Sequence, residues 1–281
     1  MSQAMKFGAI AERVVLACAV AVCTLVMVAS RAAAQDADHD LDHEHGLLHF
    51  SHPMVTESPS PDTKLRLDAV FEHIDEPVDG RAVEMRGEYE YAFAPTFSLA
   101  VVAPFDRITS PSYARTSGLG DVEISAKAAS YAFAHSGVLL GGGMSVGLPT
   151  GSDTKGIGSG HLFELSPFVD AAMRRGPVEM VGFLTYSALA NRNATDDNER
   201  ELTFNGSALW RAAEQIELLA EIASSRSYGG TESAYSETFL APGIKWRPAK
   251  FEKIAVGASL IRGLGDASSS NAVQISAFYH F

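Results

Sequence analysis

The sequence predicts an all-β fold: a transmembrane, antiparallel, up-and-down β-barrel of about 12 strands behind an N-terminal signal peptide. Three observations point there. Residues 1–34 read as an export signal, and from Thr63 the sequence alternates with a period of two. The chain ends on an aromatic residue, Phe281, with apolar residues at alternate positions before it.

The export signal has a basic start at Lys6 and Arg13, an apolar run from Val14 to Ser30, and small residues at Ala32, Ala33 and Ala34. Cleavage is expected before Gln35. The run approaches the length of a membrane anchor, but the small residues stand where cleavage needs them. Cys18 and Cys23, the only cysteines, fall inside this signal, so the exported chain would meet an oxidising compartment without disulfides. The whole chain carries a formal charge of -12. Losing Lys6, Arg13 and Arg31 together with Glu12 takes the exported part to about -14. So acidic a chain is a poor partner for nucleic acid. After the signal no apolar run reaches the ~18 residues of a membrane helix, so crossing a bilayer falls to strands.

Residues 35–62 read as a periplasmic extension, rich first in Asp and His, then in Ser and Pro, of a composition not expected to build a core. Its imidazoles, His39, His43, His45, His49 and His52, are interleaved with Asp36, Asp38, Asp40, Asp42 and Glu44. Such a donor set suits divalent Zn or Cu, and His43 and His45 are close enough to share an ion. The spacing matches no closed structural site, and a solvated acidic tail is the plainer reading. No other cofactor is implied.

The barrel is expected over 63–281, with strands at 63–73, 81–93, 96–107, 119–133, 136–148, 161–174, 177–190, 199–210, 215–226, 236–248, 252–262 and 271–281. Short connections fall at Ala94-Pro95, Ala134-His135, Arg175-Gly176, Arg211–Glu214 and Pro248–Phe251. Longer ones fall near 74–80, 108–118, 149–160, 191–198, 227–235 and 263–270. Short periplasmic turns alternating with long outer loops are the habit of outer-membrane barrels. Phe93, Phe97, Phe133, Trp210, Trp246 and Phe251 flank the short turns, where an aromatic girdle belongs. In the last strand Val273, Ile275, Ala277, Tyr279 and Phe281 are expected to face lipid. That ending resembles the signal read by the outer-membrane assembly machinery, an expected partner beside membrane lipid. Two irregularities stand out. Tyr131 and Phe133 fall on the wrong parity, which a bulge near Ala129–Ser130 would repair, and Gly141 to Gly143 predict a bend or close packing.

The opposite parity sends Lys64, Arg66, Glu84, Arg86, Glu88, Glu123, Lys127 and Glu164 into the lumen, with Asp170, Glu179, Glu217, Glu221 and Lys245. Charges of both signs either fill the interior as ion pairs or line a mildly cation-favouring path.

Three motifs follow one another: Leu119-Gly120-Asp121-Val122, then Gly147-Leu148-Pro149-Thr150-Gly151, then Gly156-Ile157-Gly158-Ser159-Gly160. In this order they resemble the outer-membrane family named for the meta-pathway of phenol degradation, over roughly 63–281. The resemblance implies a barrel that moves small, often aromatic, molecules. By themselves the glycines permit turns in an outer loop; with no following helix and no Lys-Ser/Thr pair they are not a phosphate loop.

The first expectation is therefore a channel for a small solute, with the extension stopping the lumen or binding metal. The alternative is a metal-binding protein anchored by the barrel. A lipase-type enzyme is weaker: Ser159 and His161 lie close together without a third member, and His73 and His280 have no evident Ser partner, so no catalysis is expected.

Overall fold

The computed structural model describes residues 47–74, 80–110, 113–190, 200–229, 234–264 and 271–281. The export signal and His39, His43 and His45 lie outside the described residues.

The strands are β1 (Lys64–Ile74), β2 (Gly80–Ala94), β3 (Phe97–Ser110), β4 (Tyr113–Leu119), β5 (Val122–Ser130), β6 (Val138–Leu148) and β7 (Phe163–Arg175). They continue with β8 (Val178–Ala190), β9 (Arg200–Ala213), β10 (Ile216–Tyr228), β11 (Ser236–Trp246), β12 (Ile254–Gly263) and β13 (Asn271–His280). β4 and β5 form one stave, since both pair with β3, above and below a break at Gly120-Asp121. Gly120 N–H donates to Pro104 O across that break (3.0 Å). Thirteen strands thus make twelve staves, each antiparallel to its neighbours. The seam is β1 against β13, from Lys64↔His280 to His73↔Asn271. Below the break at Gly120-Asp121 every stave is paired on both sides, as a lipid-embedded strand requires; above it, β4 pairs with β3 and with no other named strand.

Alternation sorts the side chains. Leu65, Leu67 and Phe71 of β1 and Val273, Ile275 and Tyr279 of β13 face outward and are exposed, as are many large apolar residues on the other strands. Water does not support so continuous an apolar belt; lipid does. At the mouth where the turns are short, Phe93, Phe133, Trp210, Trp246, Phe251 and Phe281 are exposed, and Phe93 stacks on Phe97 with ring centroids 6.1 Å apart. That mouth is the periplasmic one in barrels of this kind. Both the start of β1 and the end of β13 lie there, joined by Phe281 N–H to Thr63 O (3.0 Å).

The structure corrects three expectations. Residues 131–133 carry no bulge: β5 stops at Ser130 and the chain leaves the sheet through a short 3-10 turn at Ala134–Ser136. The ladder irregularities fall elsewhere, at Ala92/Ala94, Ile108/Ser110 and Ile216/Glu217. Most of the outer loop expected at 108–118 is sheet, because β3 and β4 continue as a hairpin. Finally, the Ser/Pro-rich end of the extension does build a core. Phe50 and Met54 are fully buried within the barrel, packed with the inward residues Leu139, Leu209 and Leu219.

The facing pattern makes a direct prediction. Ile275→Arg, near the middle of β13 on the lipid face, should cost about 2–4 kcal/mol. Ile275→Val should cost under about 1.5 kcal/mol. Urea unfolding of the protein refolded into lipid bilayers measures both; equal effects would mean that Ile275 does not face lipid.

Candidate functional site: the occupied lumen

Residues 47–63 run in from the periplasmic mouth, turn inside the barrel and return to β1. Such a segment has no helix or ladder to satisfy its peptide groups, so other atoms must. The inward charges of the wall do this. Glu221 accepts the N–H groups of Met54 (2.9 Å), Val55 (3.1 Å) and Thr56 (3.0 Å). Glu179 accepts Ser51 N–H (2.8 Å) and Glu90 accepts Asp62 N–H (3.3 Å). Cations take the carbonyls: Lys245 donates to His52 O (2.9 Å), Lys127 to Ser58 O (2.9 Å), Arg66 to Met54 O and Arg174 to His49 O. Gln274, just before the middle of β13, also donates to Met54 O (2.9 Å). Within the segment, Phe50 N–H donates to Ser60 Oγ (2.9 Å) and closes the turn on itself.

The same charges neutralise one another. Lys64 Nζ lies 3.0 Å from Glu88 and 3.5 Å from Glu57 of the segment, and bonds Glu90. Lys127 Nζ reaches Glu90 (3.0 Å) and Glu57 (3.3 Å). Lys245 pairs with Glu217 (2.9 Å), and Arg66 with Asp68 (2.8 Å). Buried ions survive only when paired and bonded in this way. Two glycines leave room for the inserted chain. A Cβ on Gly257 would fall 2.7 Å from Met54 Sδ, and one on Gly141 would fall 3.0 Å from Pro59 Cβ. The close packing expected at Gly141 is packing first against the Asp170 carboxylate of β7 and then against Pro59 of the inserted segment.

The candidate lumen residues therefore divide. Lys64, Arg66, Glu88 and Lys127 are buried against the segment. Arg86 and Glu123 line a cavity of about 80 Å³ above it, together with Phe168 and Phe183, whose rings stack at 5.1 Å. Glu164 stands in an outer vestibule of about 290 Å³ with Ser187, Arg200, Glu201 and Tyr235. Glu84 is exposed and lines neither space.

The two described candidate metal ligands, His49 and His52, sit at the periplasmic mouth beside Asp62, a residue the sequence reading passed over. Asp62 Oδ2 lies 3.7 Å from His49 Nε2, 3.2 Å from His52 Nε2 and 2.6 Å from His280 Nδ1. Burial alone would raise the Asp62 pKa, but hydrogen bonds from His280, His49 and His52 outweigh it and hold the carboxyl well below the usual range. Burial, helped by the charge of Lys64, pushes His52 down against its bond to Asp62. The seam between first and last strands is the signal that brings Asp62 and His280 together.

At the outer end the three motifs converge on one carboxylate. Asp121 accepts the N–H groups of Gly151 and Ser159, both at 2.7 Å, while Thr150 Oγ1 accepts Val122 N–H (2.8 Å). Ser159 Oγ donates to Leu162 O (2.7 Å). The motifs thus brace the loop over 149–162, and the Ser159 hydroxyl is engaged in that bracing.

Solved structures share this fold. The COG4313 outer-membrane channel from Pseudomonas putida F1 is similar with TM-score 0.61 and 11% identity, over 79% of this chain and 96% of that one. The NanC porin is similar with TM-score 0.54 and 10% identity, over 77% and 100% of the two chains. The translocator domain of the autotransporter NalP from Neisseria meningitidis gives 0.52 and 10%, over 91% and 99%. The chain shares the closed antiparallel barrel of these outer-membrane proteins. No protein-family model matches it, and no curated protein matches it in sequence.

Two predictions follow from this geometry. Glu221→Gln keeps the volume but removes the charge that holds three successive peptide N–H groups. It should loosen the seated segment by about 1.5–3 kcal/mol. Limited proteolysis within 47–62 should accelerate about tenfold or more while the barrel keeps its heat-modifiable gel mobility; an unchanged cleavage rate would contradict the assignment. Asp121→Ala should instead speed cleavage within 149–162 and leave cleavage within 47–62 unchanged.

Proposed function

We propose that this protein is an outer-membrane channel for a small solute and that residues 47–62 are its gate. One observation carries the reading: the lumen is stopped from the periplasmic mouth to mid-barrel by a segment held through hydrogen bonds and ion pairs. Above the stop, the outer vestibule and the smaller inner cavity give a solute somewhere to bind. The fold shared with a channel and a porin supports the same reading.

The solute we propose is small and carries an aromatic ring with a polar group. The stacked Phe168–Phe183 pair offers a face for a ring, and Arg86, Glu123 and Ser145 beside it offer partners for hydroxyl or carboxylate groups. The motif resemblance to the family named for phenol degradation supports this choice. A lipase-type activity draws no support from Ser159, whose hydroxyl is already committed to the loop.

Planar-bilayer recording tests the gate. The full chain should be closed or flicker, whereas protein lacking 47–62 should show a steady, larger conductance. Glu221→Gln, which keeps the whole chain, should raise the open fraction and guards against misfolding of the deletion. Equal conductance from all three would sink the proposal. Liposome swelling with a phenol-sized aromatic and a sugar of similar mass tests the solute class; faster entry of the sugar would refute it.

A further inference from the structure

We propose that His49, His52, Asp62 and His280 form a binding site for one divalent transition-metal ion of the zinc type, and that the ion staples the inserted segment to the end of β13. The four groups come from three places in the chain. His49 and His52 lie where the segment enters, Asp62 where it returns, and His280 at the last position of β13, opposite Lys64 across the seam. No two of these places are neighbours in sequence, so an ion held among them would tie the gate to the barrel.

Three imidazoles and one carboxylate are a donor set that zinc-type ions favour. The spacing agrees. Bonds of about 2.0–2.1 Å at a tetrahedral angle put ligand atoms about 3.3 Å apart. Around Asp62 Oδ2 the observed separations are 3.2 Å to His52, 3.7 Å to His49 and 2.6 Å to His280. His49, His52 and Asp62 already bring ligand atoms within 4.8 Å of one another. His280, hydrogen-bonded to Asp62 alone at present, must move in toward the other two imidazoles and lengthen that contact by about 0.7 Å to become the fourth ligand. Ring centroids are 5.7 Å apart for His49–His52 and again for His52–His280, with the rings inclined rather than stacked flat. His49 is 48% exposed at the mouth while His52 is 3% exposed, so the site has a door to the periplasm and a buried floor.

The other dense carboxylate group, Glu57 with Glu88 and Glu90, is different. Lys64 and Lys127 already occupy its centre. Among the described residues the ion-pair partners of Asp62 are imidazoles, which bind metals when neutral, and no Lys or Arg.

The experiment uses the full chain, refolded in detergent, with Co²⁺ as a spectroscopic probe and Zn²⁺ for calorimetry. Three proteins are compared: the unaltered chain, His280→Ala, and the triple variant His39→Ala/His43→Ala/His45→Ala. The triple variant removes the imidazoles of the tail and leaves the mouth intact. The proposal expects the visible band of tetrahedral Co²⁺ in the unaltered chain and the triple variant, with Zn²⁺ bound at a Kd of about 1 μM or tighter. His280→Ala should lose the band and weaken Zn²⁺ binding about 100-fold. Asp62→Asn should do the same, and heat-modifiable mobility shows that both variants still fold. Loss of the band in the triple variant with survival in His280→Ala would place metal binding in the tail and overturn the proposal. Absence of the band from every protein would overturn it equally. Because the readout is binding, the result stands whether or not the segment gates conductance.

Discussion

A peptide group carried into a closed barrel must find a partner there, and that requirement organises the interior of this protein. The wall strands that surround the segment spend their own N–H and C=O groups on each other. The inserted segment is not helical and pairs with no strand, so side chains must do the work. Carboxylates meet its N–H groups, and Lys, Arg and Gln meet its carbonyls. Mixed charge in the lumen is thereby explained without an ion path. Many of these charges are also paired, as Lys64 is with Glu88 and Glu90, because a lone ion in that space is costly. Asp170, buried with a hydrogen-bond partner on neither side-chain oxygen, is an exception among the described residues.

The two faces of each strand answer to different surroundings. β13 shows this in ten residues. Val273, Ile275 and Tyr279 meet lipid, while Gln274, Ser276 and Phe278 turn inward, where Phe278 lies under Arg66 and Lys245 at 5.2 and 5.5 Å. A shift of one residue in register would reverse every side chain and put Gln274 in lipid and Ile275 among charges. Lipid belt and lumen network therefore enforce the same register.

Much of this was legible in the sequence because it rests on alternation, a local property. β1 was expected at 63–73 and runs from Lys64 to Ile74; the outward set in β13 was read correctly to the residue. Reading failed where the partner is distant. Most of β4 falls within the loop expected at 108–118; Thr116, Ser117 and Gly118 are sheet through their pairing with Ile108, Arg107 and Asp106. Tyr131 and Phe133 looked like a slipped strand, when the strand had ended. The segment around Phe50 and Met54 has the composition of a solvated tail, and it becomes a core only because a charged wall surrounds it. Asp62 and His280 are 218 positions apart and meet only at the seam, so neither advertised the other.

The inserted segment enters and leaves by the same mouth. It is a bight of chain, not a thread passed through a ring, and no end has to be drawn through the barrel to place or remove it. The sheet can therefore close first and take up its stopper afterwards. Withdrawal breaks side-chain contacts and whatever latch holds at the rim, but no strand pairing. The scaffold and the stopper are topologically separable, and the lumen can empty and refill while every ladder bond of the wall stays in place.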